Sequence, residues 1–383
     1  MGIERIRVEG FRSLKQVDWE PANLNVLIGP NGSGKSNVLD AIKLLSAAAS
    51  GSFEDLVSEW GGIRSLSWGY SAGPVALTVC GKFLAGLFDG SPKEEKSFTY
   101  RLVVSCSSDP GDYALAEELL TEKGGRDVFA YDLAHATKIK DALGKAVRQP
   151  RLGVHTENGE REAIRMALSG WRVYQEVPVG RNAEIRRSVQ TRRVSYPMEN
   201  GQDLIAVLHT NYESDRGFKE AVDDAMRAVF GDEYEELRFP PAEDTRTQLR
   251  VKWRGLELAQ AAFDLSDGII RFLFLITLLS LPRPPLVLAI DEPESGLHPS
   301  MLPIIAEYAV ETSQRTQLIL TTHSPEMLNA FTATRVLPKV TIAFWENCQT
   351  ILKTPREDVL DHWLKSYALG ELMTSGELEE IAE

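Results

Sequence analysis

Apolar and polar residues alternate over residues 3–8, and this period of two predicts a β-strand. Three further short runs, at 25–28, 286–290 and 317–320, are almost wholly apolar. Such runs are typical of parallel strands that are covered on both faces of a sheet. The pattern therefore predicts a mixed central sheet in an α/β fold.

Other segments repeat their apolar residues at the 3.6-residue period of an amphipathic helix. Helices are predicted at 37–49, 202–230 and 265–281, with an acidic helical tail from Asp358. Alternation returns at 74–80 and 97–106, which favours antiparallel strands of an accessory lobe. Between these elements and the next helices the chain is polar and irregular, and shorter helical pieces are predicted around 115–122 and 134–147.

The order of these elements predicts three parts of the chain. Residues 1–106 would form the N-terminal part of a head, residues 107–240 an inserted α+β lobe, and residues 241–383 the C-terminal part of the head. No internal repeat and no sustained heptad pattern is present.

A glycine-rich loop lies between the strand at 25–28 and the helix at 37–49 and fits the pattern G-x-x-x-x-G-K-S/T. Its backbone N–H groups would face phosphates, Lys35 would reach the β- and γ-phosphates, and the Ser36 hydroxyl would coordinate Mg²⁺. A chance glycine-rich turn is the alternative, and the strand–loop–helix setting disfavours it. The predicted nucleotide contacts of this loop are Gly29, Pro30, Asn31, Gly32, Ser33, Gly34, Lys35, Ser36 and Asn37.

Two adjacent acids, Asp291 and Glu292, end the apolar strand at 286–290. An acid at the carboxyl end of a central strand lies beside the phosphate loop in such sheets. Asp291 would hold Mg²⁺, and Glu292 would position and deprotonate an attacking water. The alternative is a pair of solvated acids. An acid that activates water favours hydrolysis of ATP over phosphate transfer to a small molecule.

The segment Leu265-Ser266-Asp267-Gly268 precedes the apolar helix and resembles the LSGG-type signature of ABC ATPases. The Ser266 hydroxyl, the Gly268 N–H and the helix start would form a γ-phosphate site. The resemblance implies that this site closes over the nucleotide of a second protomer. Ser266 as an ordinary helix cap is the alternative.

His323 follows the strand at 317–320, 31 residues after Glu292. It resembles the switch histidine of the same proteins, which senses the γ-phosphate and orients the water. A lone histidine is more often structural, but its place at a strand end favours function.

Together these motifs resemble the RecF/SMC/OLD group of ABC-type P-loop ATPases, and short stand-alone relatives of RecF in particular. Phe11-Arg12-Ser13-Leu14 is similar to the N-terminal segment of the group, in which the arginine approaches the nucleotide. Residues 291–299 have the DEPExxLHP form of OLD-type proteins, with His298 where transporters have an aspartate. A Q-loop glutamine is not assigned.

The resemblance implies a head-to-tail homodimer, or a higher oligomer built on it, closed around two ATP·Mg²⁺. The chain lacks the coiled coil of SMC proteins, and the 60 residues after His323 are too few for a Toprim nuclease domain. A separate effector such as a nuclease is therefore expected. The predicted role is a motor or sensor subunit in anti-phage defence or DNA maintenance. A nucleotide-stabilised scaffold and a RecF-like protein that loads on DNA are the alternatives.

Five arginines form the one basic cluster of the chain. They would track the phosphates of DNA or RNA, or they would lie on a solvated strand pair beside acids such as Glu184 and Glu199. The five are Arg181, Arg186, Arg187, Arg192 and Arg193.

Composition bounds the cellular setting. The formal net charge is −13, which disfavours indiscriminate coating of DNA. Three cysteines lie far apart, and the N-terminus has no signal-peptide pattern, so a cytoplasmic protein is expected. The most apolar stretch, 269–290, is interrupted by Arg271, Arg283 and three prolines, which disfavours a membrane span.

Overall fold

Two six-stranded sheets organise the part of the chain that the computed structural model describes, residues 2–70, 73–85, 94–106, 113–122, 126–132, 149–155, 159–242 and 245–382. The strands are β1 Ile3–Phe11, β2 Leu14–Trp19, β3 Leu24–Ile28, β4 Val75–Ala85, β5 Glu94–Cys106, β6 Tyr113–Glu122, β7 Arg126–Asp132, β8 Arg172–Tyr174, β9 Val189–Gln190, β10 Tyr234–Arg238, β11 Arg246–Thr247, β12 Arg250–Trp253, β13 Gln260–Ala261, β14 Val287–Asp291, β15 Gln317–Thr322, β16 Lys339–Glu346 and β17 Gln349–Lys353. The helices are α1 Lys35–Ser50, α2 Phe53–Glu59, α3 Ile63–Leu66, α4 Gly159–Ser169, α5 Leu204–Ser214, α6 Arg216–Phe230, α7 Asp267–Ser280, α8 Leu302–Ser313, α9 Pro325–Thr332, α10 Glu357–Trp363, α11 Leu369–Ser375 and α12 Glu377–Ala382.

The central sheet has the strand order β17-β16-β3-β15-β14-β8. The five strands from β16 to β8 run parallel to one another, and β17 is antiparallel at the edge. The sheet is therefore mixed, as predicted. All five residues of β3 are buried. Leu27 faces one core cluster while Val26 and Ile28 face the other, which explains why the buried strands are apolar throughout.

The second sheet is antiparallel, with the order β2-β1-β4-β5-β6-β7. The strands predicted at 74–80 and 97–106 are confirmed as β4 and β5, which pair along the whole length of β4. Helix α1 packs between this sheet and one face of the central sheet, and 11 of its 16 residues are buried. The other face of the central sheet is covered by α5 to α9 and α11.

The helix predicted around 115–122 is wrong, because this segment lies in β6. Leucine, alanine and glutamate favour helix in isolation, but the buried residues Tyr113, Leu115 and Leu120 all face the sheet core. Nine residue pairs with β5 then decide the conformation. The helix predicted around 134–147 lies outside the described residues.

The range predicted as an inserted lobe shares both sheets with the rest of the chain. Its strand β6 belongs to the antiparallel sheet, and its strand β8 forms the edge of the central sheet. The helices predicted within 202–230 and 265–281 are confirmed as α5, α6 and α7. The boundaries at 107 and 240 stay a prediction.

Within the described ranges, no helix is long and apolar enough to cross a membrane. The most apolar one, α7, has 14 residues. At 1.5 Å per residue it is about 21 Å long, short of a bilayer core of about 30 Å. It is instead buried in the larger core cluster.

Candidate functional site

Residues of the candidate site, all but one of them predicted, follow four neighbouring parallel strands at their carboxyl ends. The glycine-rich loop follows β3, the two acids end β14, His323 follows β15, and Gln175 follows β8. Loops at this edge of an open α/β sheet converge on one crevice, which is where such folds bind ligands. The tertiary structure thus brings together residues that are up to 294 positions apart, Gly29 and His323.

The loop after β3 has a backbone that only glycine adopts without strain. Gly29, Gly32 and Gly34 have φ angles of 143°, 81° and 97°. Helix α1 begins at Lys35 with Gly34 as its N-cap and no side-chain cap. The N–H groups of its first turn are therefore left to a ligand, and the positive end of the helix favours an anion.

Lys35 is buried and folds back on this loop, where its Nζ donates to the carbonyls of Gly29 at 2.7 Å and Pro30 at 3.1 Å. Burial lowers the pKa of Lys35, while the nearby carboxylate of Glu292 acts in the opposite direction. Among the described residues, the buried Ser33 hydroxyl has no hydrogen-bond partner. An uncapped helix, a buried ammonium and an unpaired hydroxyl together fit a phosphate group.

Asp291 and Glu292 are fixed by the neighbouring strand. The Thr321 hydroxyl of β15 donates to Asp291 Oδ1. Glu292 has a φ of 45°, an uncommon value for a residue with a side chain, and its N–H is held by the Thr321 carbonyl at 3.2 Å. This left-handed turn sets the direction of the Glu292 side chain after the strand ends.

The carboxylate of Glu292 has two neighbours that orient it. His323 Nδ1 lies 2.9 Å from Oε1, and the Ser295 hydroxyl donates to Oε2 at 3.3 Å. Its side chain is 34% exposed, so water has access to it. The structure therefore joins two residues that were predicted separately, Glu292 and His323, and their roles stay a prediction.

Replacing His323 with alanine is expected to lower ATP turnover by about tenfold to a hundredfold, because Glu292 loses the ring that holds its carboxylate. ATP binding should change little, since the glycine-rich loop at 29–36, called the phosphate loop below, is untouched. Phosphate release and binding of a fluorescent ATP analogue measure the two effects. His362→Ala, on the exposed surface of α10, is the matched control. Equal turnover in both variants would contradict a role for His323.

Glu294 is a third acid of the site that the sequence analysis did not assign. The Thr322 hydroxyl donates to its Oε1, and burial raises the pKa of this carboxyl. Its Oε2 has no hydrogen-bond partner among the described residues. The signal was present in the sequence, as the second glutamate of the DEPE run, but the spacing alone does not tell which acid faces inward.

Gln175 is a second residue that the sequence analysis missed. It follows β8, the strand beside β14, and its Nε2 donates to Asp40 Oδ1 at 2.9 Å and to the Ser36 carbonyl at 3.5 Å. Gln175 therefore lies at the crevice, beside the start of α1. Because β8 has only three residues, its apolar pattern is too short to be recognised in the sequence.

The phosphate loop is also braced from the opposite side. The Thr350 hydroxyl of β17 donates to the Ser33 carbonyl at 2.8 Å and lies 2.6 Å from the Ser13 hydroxyl. Asn37 Nδ2 donates to that same Ser13 hydroxyl at 2.6 Å. Asn37 therefore serves the loop through a protein contact, and its predicted contact with nucleotide stays a prediction.

Arg12 lies against helix α1. Its guanidinium pairs with Asp40 and stacks on the Trp60 ring at 4.7 Å from the centroid. Burial raises the pKa of Asp40, and Arg12 counteracts this by favouring the ionised carboxyl. Arg12 is paired with Asp40 in this structure. Its predicted approach to nucleotide stays a prediction.

The signature segment begins α7. The Ser266 hydroxyl caps the helix by accepting from the Ile269 N–H at 3.3 Å, so Ser266 is a helix cap. Its predicted contact with a γ-phosphate stays a prediction. Gly268 faces the next loop, where an added Cβ would lie 3.2 Å from the Gly296 carbonyl. Arg271 of the same helix donates to the Glu292 carbonyl at 3.0 Å, which ties α7 to the acid-bearing turn.

The arginine cluster is not a free basic stripe. Arg186 is buried and hydrogen-bonded within the protein, so it is not available to a nucleic acid in this conformation and that prediction needs correction. Arg187 pairs with Glu184, and Arg192 pairs with Asp203. Arg181 lies over the exposed Phe263 ring. The tertiary structure thus gives most of these cations intramolecular partners.

Comparison with protein families gives two matches. Residues 179–329 match the family described as AAA domain, putative AbiEii toxin, Type IV TA system, and residues 2–60 match the RecF/RecN/SMC N terminal domain. DNA replication and repair protein RecF from Pseudomonas savastanoi pv. phaseolicola is 47% identical over 51 residues, and RecF from Vibrio campbellii is 50% identical over 46 residues. These alignments cover 13% and 12% of this chain and 14% and 13% of the two relatives.

Solved structures match over nearly the whole chain. An SMC head bound to the C-winged helix domain of ScpA has a TM-score of 0.59 at 14% identity, covering 94% of this chain and 100% of that one. An Smc head with an extended coiled coil, bound to the C-terminal domain of ScpA derived from Pyrococcus furiosus, has a TM-score of 0.58 at 14% identity, covering 95% and 98%. At these identities the likeness establishes the fold.

Proposed function

We propose that this chain, a RecF/SMC-like ABC ATPase, binds ATP with Mg²⁺ and hydrolyses the γ-phosphate in a site completed by a second copy of itself. The observation that carries the proposal is the Glu292 carboxylate, held by His323 and Ser295 at the strand end and close enough to act on the charge of Lys35. An oriented, water-accessible acid next to a phosphate cradle is what hydrolysis requires.

The residues of this chain have distinct tasks in that reaction. Lys35 and the N–H groups of the first turn of α1 bind the phosphates, with Lys35 exchanging the loop carbonyls for phosphate oxygens. Ser36 and Asp291 would hold Mg²⁺, which neutralises phosphate charge when bound. Glu292 accepts the proton of the attacking water, and His323 keeps the carboxylate in place.

A second protomer supplies the signature residues. Ser266 is exposed and Gly268 is half-buried at the N-terminal end of α7, where a helix start favours an anion. In a head-to-tail homodimer, Ser266 of one chain would meet the γ-phosphate bound by Lys35 of the other. Each site then depends on two chains, so hydrolysis is coupled to opening and closing of the pair.

A bulky cation at the signature position tests the composite site. Ser266→Arg is expected to remove nearly all turnover, because the side chain blocks the approach of the partner's nucleotide, while ATP binding to its own phosphate loop persists. Wild-type turnover per chain should rise with protein concentration until pairing saturates. Ser214→Arg, at the exposed end of α5, is the control. Unchanged turnover in Ser266→Arg would exclude the composite site.

The output of the cycle is proposed to be a motor or sensor step in anti-phage defence or DNA maintenance, with a separate effector such as a nuclease. The family description that includes a putative toxin of a Type IV TA system supports a defence setting. The match of residues 2–60 to the RecF/RecN/SMC N terminal domain, and the similarity to RecF, support the DNA setting. A scaffold would keep its biological function when Glu292→Gln stops turnover, whereas a motor would lose it.

DNA loading is the second candidate, and it makes a separate demand. Turnover would be stimulated by DNA, and neutralising the exposed arginines Arg181, Arg187, Arg192 and Arg193 would remove that stimulation and its dependence on salt. If DNA does not change the rate of ATP turnover, DNA loading is excluded and the effector interpretation remains. Co-purification with Glu292→Gln, which holds the closed pair, would then identify the effector or return the ATPase alone.

A further inference from the structure

One arginine of the predicted basic cluster is built into the protein rather than displayed on it. The side chain of Arg186 is 1% exposed. Its Nε donates to the Val179 carbonyl at 2.7 Å, which anchors the guanidinium on its own segment. Its other nitrogens donate to residues 262–267, which form the loop before α7 and the first residue of that helix. A residue from one segment thus holds another that lies about 80 positions further along the chain.

These contacts lie on both sides of the signature serine, Ser266. Arg186 Nη1 donates to the carbonyls of Ala262 at 2.8 Å and Leu265 at 2.6 Å. Its Nη2 donates to Asp267 Oδ1 at 2.5 Å. Leu265 immediately precedes Ser266 and Asp267 immediately follows it, so the planar guanidinium fixes the chain on both sides of this residue. A flexible ammonium could not make all four bonds at once.

The same contact balances a charge. Asp267 is the first residue of α7, and its side chain is 64% exposed beside Ser266. A carboxylate suits the positive end of a helix, but next to an incoming phosphate it would repel the ligand. The buried charge of Arg186 in turn needs an anionic partner, which Asp267 provides. The pair therefore directs the carboxylate toward the protein.

We propose that Arg186 is a positioning residue for the signature loop, 265–268, and that it acts on the nucleotide of the partner protomer rather than on its own. The inference rests on the proposed composite site and adds a residue to it. Without the guanidinium, two carbonyls lose their donor and Asp267 loses its counter-charge. The loop then leaves the geometry in which Ser266 and Gly268 can receive a phosphate.

The test uses full-length chains that carry Glu292→Gln, so that ATP-driven pairing is measured without turnover. Arg186→Met is expected to bind a fluorescent ATP analogue within about twofold of its parent, because its own phosphate loop is intact. ATP-driven pairing, measured by light scattering on a sizing column, should weaken by at least about tenfold. Arg246→Met is the control, since Arg246 bonds Ser188 of the same segment and, within the described part of the chain, does not bond the signature loop.

Mixing separates positioning from general destabilisation. A chain with Arg186→Met keeps its phosphate loop, and a chain with Lys35→Met keeps its signature loop, so only the mixed pair has one complete site. ATP should therefore drive mixed pairs from two tagged chains that do not pair alone. Absence of mixed pairs, or pairing of Arg186→Met equal to that of Arg246→Met, would overturn the inference.

Two further outcomes are distinguishable. If Arg186→Met melts at a lower temperature and binds no ATP, Arg186→Lys is tested in its place. Lysine keeps the positive charge beside Asp267 but lacks the planar guanidinium. This variant should still bind ATP and should pair weakly. If the Glu292→Gln parent does not pair in ATP, the proposed composite site fails and the inference falls with it. If the parent pairs and Arg186→Lys pairs equally well, the inference alone fails.

Discussion

Replacing Glu292 with glutamine is expected to lower ATP turnover by about 10² to 10⁴-fold, the usual contribution of a general base. The amide has nearly the shape of the carboxylate and can still accept from Ser295, so the turn after β14 should be preserved. What it cannot do is take a proton from water. ATP should therefore remain bound, and the variant should accumulate as an ATP-dependent pair.

Phosphate release under single-turnover conditions and the mass of the protein in ATP measure the two parts of this prediction. Glu307→Gln removes the same charge from the exposed face of α8 and should behave as wild type. Turnover in Glu292→Gln within a few-fold of that control would show that another group activates the water. Glu294 would then be the next acid to replace, since its charge, like those of Glu292 and Asp291, reaches Lys35 and it is not assigned to Mg²⁺.

Replacing Lys35 with methionine is expected to weaken ATP binding by about a hundredfold or more. The Lys35 ammonium is largely screened from water, so its attraction to phosphate is stronger than that of a surface charge. Methionine has a similar length and suits a helix start, so α1 should persist. The two loop carbonyls that now accept from Lys35 would lose their donor, at a cost in stability of about 1–3 kcal/mol.

Calorimetric titration with ATP·Mg²⁺ measures the affinity, and a thermal melt shows whether the fold survives. Lys43→Met is the matched control, because Lys43 lies on the same helix and contacts Glu199 and Trp60 instead of the loop. An affinity for ATP in Lys35→Met equal to that in Lys43→Met would place the nucleotide elsewhere and contradict the proposed site.

Much of the candidate site could be predicted because its residues are local in sequence. The phosphate loop needs glycines at fixed intervals before a lysine, and the two acids must end an apolar strand. Each requirement is met within about ten residues. The same holds for the central strands, whose burial on both faces demands apolar residues at every position, as all five residues of β3 illustrate.

The residues that were missed or misassigned depend on contacts between distant segments. Gln175 reaches the crevice because a three-residue strand pairs with β14. Thr350 braces the phosphate loop from an edge hairpin 317 positions after Ser33. The segment at 115–122 has helix-favouring residues, and its pairing with β5 and β7 makes it a strand. No local pattern contains that information, because pairing free energy depends on the partner strand.

By itself, the sequence determined the fold class of the head and the places of the glycine-rich loop, the two acids and His323 after their strands, because local spacing is sufficient for each. The tertiary structure decided which side chains meet. It placed His323 on Glu292, paired Arg12 with Asp40 and buried Arg186 against the carbonyl of Leu265. The sequence gives the charge of a side chain, but its burial and its nearest hydrogen-bond acceptor, which depend on the tertiary structure, decide what it binds.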